Sequence, residues 1–347
     1  VQDILQEVYM GLIPQEMRHL MGEYFSPDWI VEHALDMAGY TGEINKTLID
    51  PTAGSGPFLT QAIKRIIKRK GGVLTKADIV NITQNIVGFD INPISVVSAK
   101  ANYILIMFSA FFDNCDEEFG DSVGVPVFIA DSILAPVVYT EENDDTLKLE
   151  TTVGEIEIPK FDSFSKGNEF LKLLSQYIDD RGSYEIFENL ALGKDLIGEK
   201  DIDIVKTLFS KLSVLHRASK DSFWPIIFRN SFAPVMIRDK FDFVVGNPPW
   251  IAWKAMSKSY RAGTLTIWQS YGIFEKNAYD KKTTHDDFGM AVTYVSVDQY
   301  LKIGGSMVFL LPASFLKSTK GGEGFRKFKI IRNNQSIPVS YTHLTLP

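Results

Sequence analysis

The chain has 347 residues, 45% hydrophobic and 23% charged, with 36 basic and 43 acidic residues for a net charge of −7. That composition is ordinary for a globular protein with a sizeable core, and the length allows one large domain or two smaller ones. One cysteine, Cys115, excludes an internal disulfide framework and fits a reducing cytoplasm. No apolar run of membrane-spanning length, signal peptide or Cys/His ligand cluster is expected, so neither a membrane protein nor a zinc site is anticipated.

The charge is unevenly spread. Residues 141–203 hold 17 acidic and 7 basic side chains, a balance of −10, which leaves about +3 for the remainder. Basic runs occur at KRIIKRK (64–70) and KSTKGGEGFRKFKIIR (317–332), and a solvated face is the ordinary reading of such runs.

In chain order, residues 1–22 are apolar at helical spacing around Pro14, which predicts two short helices. In GEYFSPDWIVEHALDMAG, Ser26 can cap a helix, Pro27 suits its first turn, Asp28 its positive end and Gly39 its stop. TLIDPTAGSGPF predicts a short strand and a Gly-rich turn, followed by a basic amphipathic helix over 58–70, with a further polar segment near Lys76. A second strand ends at Asp90 with a helix from about Pro93, and PVFIADSIL is a third, ending at Asp131. From about 137 to 233 the pattern turns acidic and mixed, with one predicted strand in TVGEIEIPKFD and two helices. This stretch reads as an insertion. FDFVVGNPPW resumes the sheet, FGMAVTYVSVDQYLKIGG reads as a helix, and SMVFLLPASFL as a last buried strand with its loop. Apolar strands alternating with helices predict an α/β fold with a mostly parallel sheet. The chain opens on Val1 and ends in SYTHLTLP, which continues no visible pattern. Both ends are expected to be artificial or truncated within a longer protein.

Four motifs carry chemistry. DPTAGSGPF places Gly54 and Gly56 where backbone could approach a ligand, although such a turn is often only a tight turn. It is not a phosphate loop, since no Gly-Lys-Ser/Thr follows. Asp50 suits a cationic ligand group better than a pyrophosphate. Asp90 in GFDINP stands where ribose hydroxyls are bound in doubly wound folds, or it caps the following helix. Asp131 ends a third strand, so three strand-end aspartates outline one nucleoside-shaped site. In NPPW, Pro248 and Pro249 lack N–H donors and stiffen the backbone. The Asn247 amide oxygen and the Pro248 carbonyl could accept both hydrogens of an aromatic amine, and Trp250 could stack on its ring. A Pro-rich turn with a packing Trp is the plainer alternative.

These residues resemble the amino-methylating, S-adenosylmethionine-dependent DNA methyltransferases, on the adenine side, with a gamma-class motif order. The resemblance implies a Rossmann-like class I methyltransferase fold carrying an inserted α+β segment. It also implies that Tyr24, Phe25, Ser26 and Pro27 line the methionine end of the cofactor, with Asp50, Thr52, Gly54 and Gly56 around its amino-acid moiety. Asp90 and Ile91 would hold ribose and flank adenine, and Asp131 would bind the adenine amine. Asn247, Pro248, Pro249 and Trp250 would form the catalytic hook, and Phe315 a second face for a base flipped out of duplex DNA. The implied layout is a helical segment closing over the cofactor (1–45), a cofactor-binding half (46–136), the acidic insertion (137–233) and a catalytic half (234–338). The tail 339–347 is expected to be non-native or truncated. Trp stands where Tyr or Phe is commoner in the family, and the long insertion resembles long restriction–modification or phage-defence proteins. There, target recognition usually follows the catalytic domain, so that region is expected beyond this chain. Glutamine-amide or RNA-amine methylation, a silent DNA-binding subunit and a dinucleotide-dependent oxidoreductase are the competing readings.

Overall fold

A computed structural model describes residues 26–111, 124–133, 146–151, 154–162, 164–218, 241–274, 286–317, 324–327, 329–332 and 335–338. The helices expected over 1–22, Tyr24, Phe25 and the tail 339–347 lie outside them. The elements run α1 (Asp28–Ala38), β1 (Leu48–Asp50), α2 (Pro57–Arg69), α3 (Lys76–Asn85), β2 (Ile86–Asp90), α4 (Pro93–Phe111) and β3 (Val127–Ile129). Next come β4 (Thr146–Thr151), β5 (Gly154–Pro159), α5 (Phe164–Asp179), α6 (Tyr184–Gly193) and α7 (Ile202–Ala218). Last are β6 (Phe241–Gly246), α8 (Lys258–Ser270), α9 (Phe288–Gln299), β7 (Leu301–Phe309), the short α10 (Ser314–Lys317), β8 (Lys329–Arg332) and β9 (Gln335–Pro338).

The chain divides into two compact units, one of residues 1–134 with 239–347 and the other of residues 135–238. The first is built on a five-stranded sheet of order β3-β2-β1-β6-β7, with every pairing parallel. Helices cover it, giving the Rossmann-like α/β fold. Strand alternation sends Leu48, Ile86, Val127 and Val245 into one core with Val31, Leu59, Ile82 and Tyr103 from the helices. Phe89, one step out of phase, meets Phe128 and the edge of Tyr300 at 6.1 and 5.9 Å. Each such fully buried large side chain contributes about 1.5–3 kcal/mol.

The second unit pairs β4 with β5 as an antiparallel hairpin. Its helices bury Phe170, Phe187 and Phe209, whose rings lie 5.3–5.9 Å apart in sequence. The residues thus form a core of their own.

Four differences from the sequence reading have physical causes. Pro27, not Ser26, is the N-cap of α1, and no side-chain cap bond is made there. LKIGG is strand rather than the end of a helix: Gly304, with φ of 80°, lies in a bulge of β7 where the register against β6 shifts. Four of the five basic side chains at 64–70 are ion-paired, a detail that the solvated-face reading did not give. Lys64 pairs with Asp28, Arg65 with Asp36, Arg69 with Glu43 and Lys70 with Asp78, at 2.7–3.5 Å. Finally, α4 is long and apolar enough to cross a membrane, contrary to expectation. Half of its most apolar window is buried inside this unit, as in a core helix.

The lower end of the sheet is tied by Asp242. Its carboxylate accepts hydrogen bonds from Thr47 N (3.0 Å) and Oγ1 (2.9 Å) and from Lys302 Nζ (3.2 Å), and Lys46 Nζ lies at 3.3 Å. Burial alone raises its pKa, but the Thr47 bonds and then Lys302 outweigh that and hold it down to about 2. A depressed carboxylate stabilises the fold above its unfolded value of 3.8, and the contribution disappears as pH falls toward 2. Asp242→Asn is therefore expected to cost about 1 kcal/mol near neutral pH, a value reduced for solvent screening. Urea unfolding should show the two proteins converging between pH 4 and 2.

Candidate active site

Three carboxylates stand at the C-terminal ends of adjacent strands, where parallel sheets place ligands. Asp50 closes β1 and is 1% exposed. Its Oδ1 accepts a hydrogen bond from Thr52 N at 3.0 Å. Burial pushes its pKa well above the usual carboxylate range; the Thr52 N–H opposes this and the nearby charge of Asp90 adds to it. A Cβ at Gly246, on the neighbouring β6, would stand 2.6 Å from that same Oδ1. Only glycine leaves room for this carboxylate.

The turn after β1 is held against β2. Ala53 N donates to Phe89 O at 2.7 Å, and Gly54 N donates to Asp90 Oδ2 at 2.8 Å. Gly56 caps α2 with φ of 86°, and a Cβ there would come within 3.1 Å of Ala99 on α4. Its conformation and its closeness to α4 both require glycine. Asp90 Oδ1 accepts from Asn92 N at 2.8 Å, and Ile91 beside it is 64% exposed. Each Asp90 oxygen thus takes a backbone N–H. The helix-cap reading of Asp90 falls instead to Asn92, whose Oδ1 accepts from Ile94 N at 3.0 Å. Asp131 follows β3, with Oδ1 accepting from Ile133 N at 3.0 Å and Oδ2 from the Tyr260 hydroxyl at 2.8 Å.

β6 delivers the hook. Beyond Gly246 the chain runs irregular through Asn247, Pro248, Pro249 and Trp250, with no cis peptide bond. Leu310 fixes it from both sides: its N–H donates to Gly246 O at 3.0 Å, and its carbonyl accepts from Trp250 Nε1 at 3.3 Å. The Asn247 amide, as oriented, donates from Nδ2 to Ser26 Oγ at 3.1 Å, which turns its oxygen to the opposite side. Ser26, expected as a helix cap, therefore binds the hook. Downstream, Phe288 N donates to Ile251 O (2.8 Å) and Trp253 N to Asp286 O (2.9 Å), around an antiparallel bridge between Ala252 and Asp287. Trp253 is buried edge-on to Trp268 and Phe274, each at 5.0 Å.

The structure thus brings together Ser26, Asp50 and the base of the Asn247 hook, and it joins Gly54 to Asp90. Phe315, expected as a second face for the base, is buried. It is 2% exposed, lies edge-on to Phe325 at 5.7 Å and sits against Gly289. Three contributors escaped the sequence reading: Gly246, Tyr260 and Asp287. Asp287 caps α9 through Gly289 N at 3.0 Å, and burial pushes its carboxyl up to about 6 against that bond. The glycine before NPPW was the one legible signal among them.

The sequence matches the Eco57I restriction-modification methylase family over residues 84–342, a span that includes Asp90, Asp131 and the hook. Two type II methyltransferases of Haemophilus influenzae, M.HincII and M.HindII, are each 32% identical over 115 residues, covering 33% of this chain and 20% of theirs. The chain thus spans about a fifth of the curated relatives it matches. The DNA-bound type ISP restriction-modification enzyme LlaBIII resembles it with a TM-score of 0.49 at 15% identity, over 88% of this chain and 15% of the larger one. A DrdV–DNA complex does so at 0.46 and 12% identity, over 89% and 22%. With more than half of its length matched, the chain belongs to the Eco57I restriction-modification methylase family.

Proposed function

We propose that the chain is the catalytic domain of an S-adenosylmethionine-dependent DNA methyltransferase, acting on the exocyclic amine of adenine in a restriction–modification system. The observation that carries this reading is the junction of Asp50 and Gly246. A buried strand-end carboxylate touches the glycine from which the Asn-Pro-Pro-Trp hook departs.

The residues fit the cofactor. Asp50, buried and adjacent to Asp90, is suited to an ammonium group, whose charge would favour its ionised form. Asp90, at the end of β2, would accept from ribose hydroxyls, and exposed Ile91 would offer an apolar edge to adenine. Asp131, just beyond the end of the neighbouring β3, would accept from the adenine amine. Tyr24, Phe25 and Pro27 would close the methionine end, with Thr52, Gly54 and Gly56 around it. Bound S-adenosylmethionine supplies a methyl group activated by its sulfonium.

The rest is the chain's own work. Asn247 Oδ1 and the Pro248 carbonyl accept the hydrogens of the target amine and free its lone pair from the ring. These are fixed dipoles, so little reorganisation is needed as charge develops on nitrogen. Pro248 and Pro249 stiffen the hook, and Trp250, held through its Nε1, offers a ring face to a base flipped from duplex DNA. Duplex DNA is accordingly the proposed partner and the cytoplasm the proposed site of action.

Transfer of tritium from labelled S-adenosylmethionine to DNA, with nucleoside analysis of the product, tests the reading. Label in N6-methyladenine is expected, and label confined to RNA or protein overturns it. Asn247→Ala should lower the methylation rate about 10²–10³-fold while cofactor affinity stays within about threefold on calorimetry. Asp50→Asn should abolish cofactor binding yet stabilise the ligand-free chain. Its raised folded pKa means the ionised carboxylate destabilises the fold above the ordinary range, so an uncharged isostere should gain on the order of 1 kcal/mol near neutral pH. Denaturant unfolding without ligand measures that gain.

A further inference from the structure

Asp131 lies 129 residues before Tyr260, yet the Tyr260 hydroxyl donates to its Oδ2 at 2.8 Å. Both partners are held from several directions. Tyr260 sits in the first turn of α8, where its own N–H is bonded to the Ser257 Oγ cap at 3.2 Å. Its ring lies edge-on to Phe288 at 5.8 Å, at the start of α9. On the other side, Ile133 N holds Asp131 Oδ1 at 3.0 Å. The buried Tyr300 hydroxyl donates to the carbonyl of the next residue, Ser132, at 2.6 Å. The Ile133 and Tyr260 bonds reach different oxygens of the Asp131 carboxylate and so set its orientation.

We infer that Tyr260 is a positioning residue for the cofactor's adenine, fixing the Asp131 carboxylate in the orientation that meets the exocyclic amine. The inference rests on the proposed cofactor role of Asp131. Burial and then the Asp131 charge push the Tyr260 hydroxyl well above the usual tyrosine range, so it remains a proton donor. Without that donor the carboxylate loses the bond that orients its Oδ2. No covalent step is involved.

The test compares two ligands, S-adenosylhomocysteine and its counterpart with hydrogen in place of the adenine amine. Calorimetry is run on the chain with and without Tyr260→Phe, which keeps the ring against Phe288. The substitution should weaken S-adenosylhomocysteine about five- to tenfold and leave the amine-free ligand within about twofold. In an Asp131→Asn background, Tyr260→Phe should weaken binding no further. Equal weakening of both ligands marks a merely structural role and overturns the inference, as does unchanged or tighter binding of S-adenosylhomocysteine. Failure of the unsubstituted chain to bind either ligand overturns the proposed cofactor role itself, and this inference with it.

Discussion

The site depends on one packing constraint: a carboxylate buried at the end of β1 against a strand that can carry no side chain there. Asp50 is 1% exposed, and Gly246 leaves it room only because it lacks a Cβ. Burying a carboxylate beside a second one is costly in an empty site. The cationic group of the proposed cofactor would offset that cost. The same contact sets the departure point of the hook, because Asn247 follows Gly246 directly. The proposed ligand contact and the hook therefore share one strand register, Ile49 opposite Val244.

Around that contact the molecule is braced by long-range ties. Asp242 joins β6 to the residues before β1 and to β7 at the opposite end of the sheet, fixing the register from below. Leu310, leaving β7, grips both Gly246 and Trp250. The two tryptophans of NPPWIAW divide the labour. Trp253 is buried among Trp268 and Phe274 as an anchor, while Trp250 stays half-buried with its N–H engaged. A rigid exit from the hook keeps its acceptors preorganised, which is where electrostatic catalysis gains most.

Much of this was legible because it is local. Strands ending at Asp50 and Asp90, and the one leading to Asp131, are short apolar runs closed by a polar residue. The helix after Pro57 and the stop at Gly39 follow from proline and αL glycine chemistry. Where locality failed, the reading failed. Tandem glycines 304 and 305 look like a helix stop, but they lie in a β-bulge imposed by pairing with β6. β4 escaped notice because TLKLET has too short an alternation to stand out, and it acquires its strand character from β5. The basic run on α2 pointed to no partner, since its neutralising carboxylates come from α1, the loop before β1 and α3.

The sequence by itself determined the succession of the five sheet strands along the chain, the parallel α/β class, the three aspartates and the stiff Asn-Pro-Pro-Trp turn. Backbone propensity and periodicity act over a few residues and are written in the residues themselves. Only the tertiary structure decided that Ser26 binds Asn247 across 221 positions, that Tyr260 binds Asp131 across 129, and that Phe315 turns inward. Those pairings depend on which side chains meet once the sheet has closed and its register is set. No local pattern encodes that meeting.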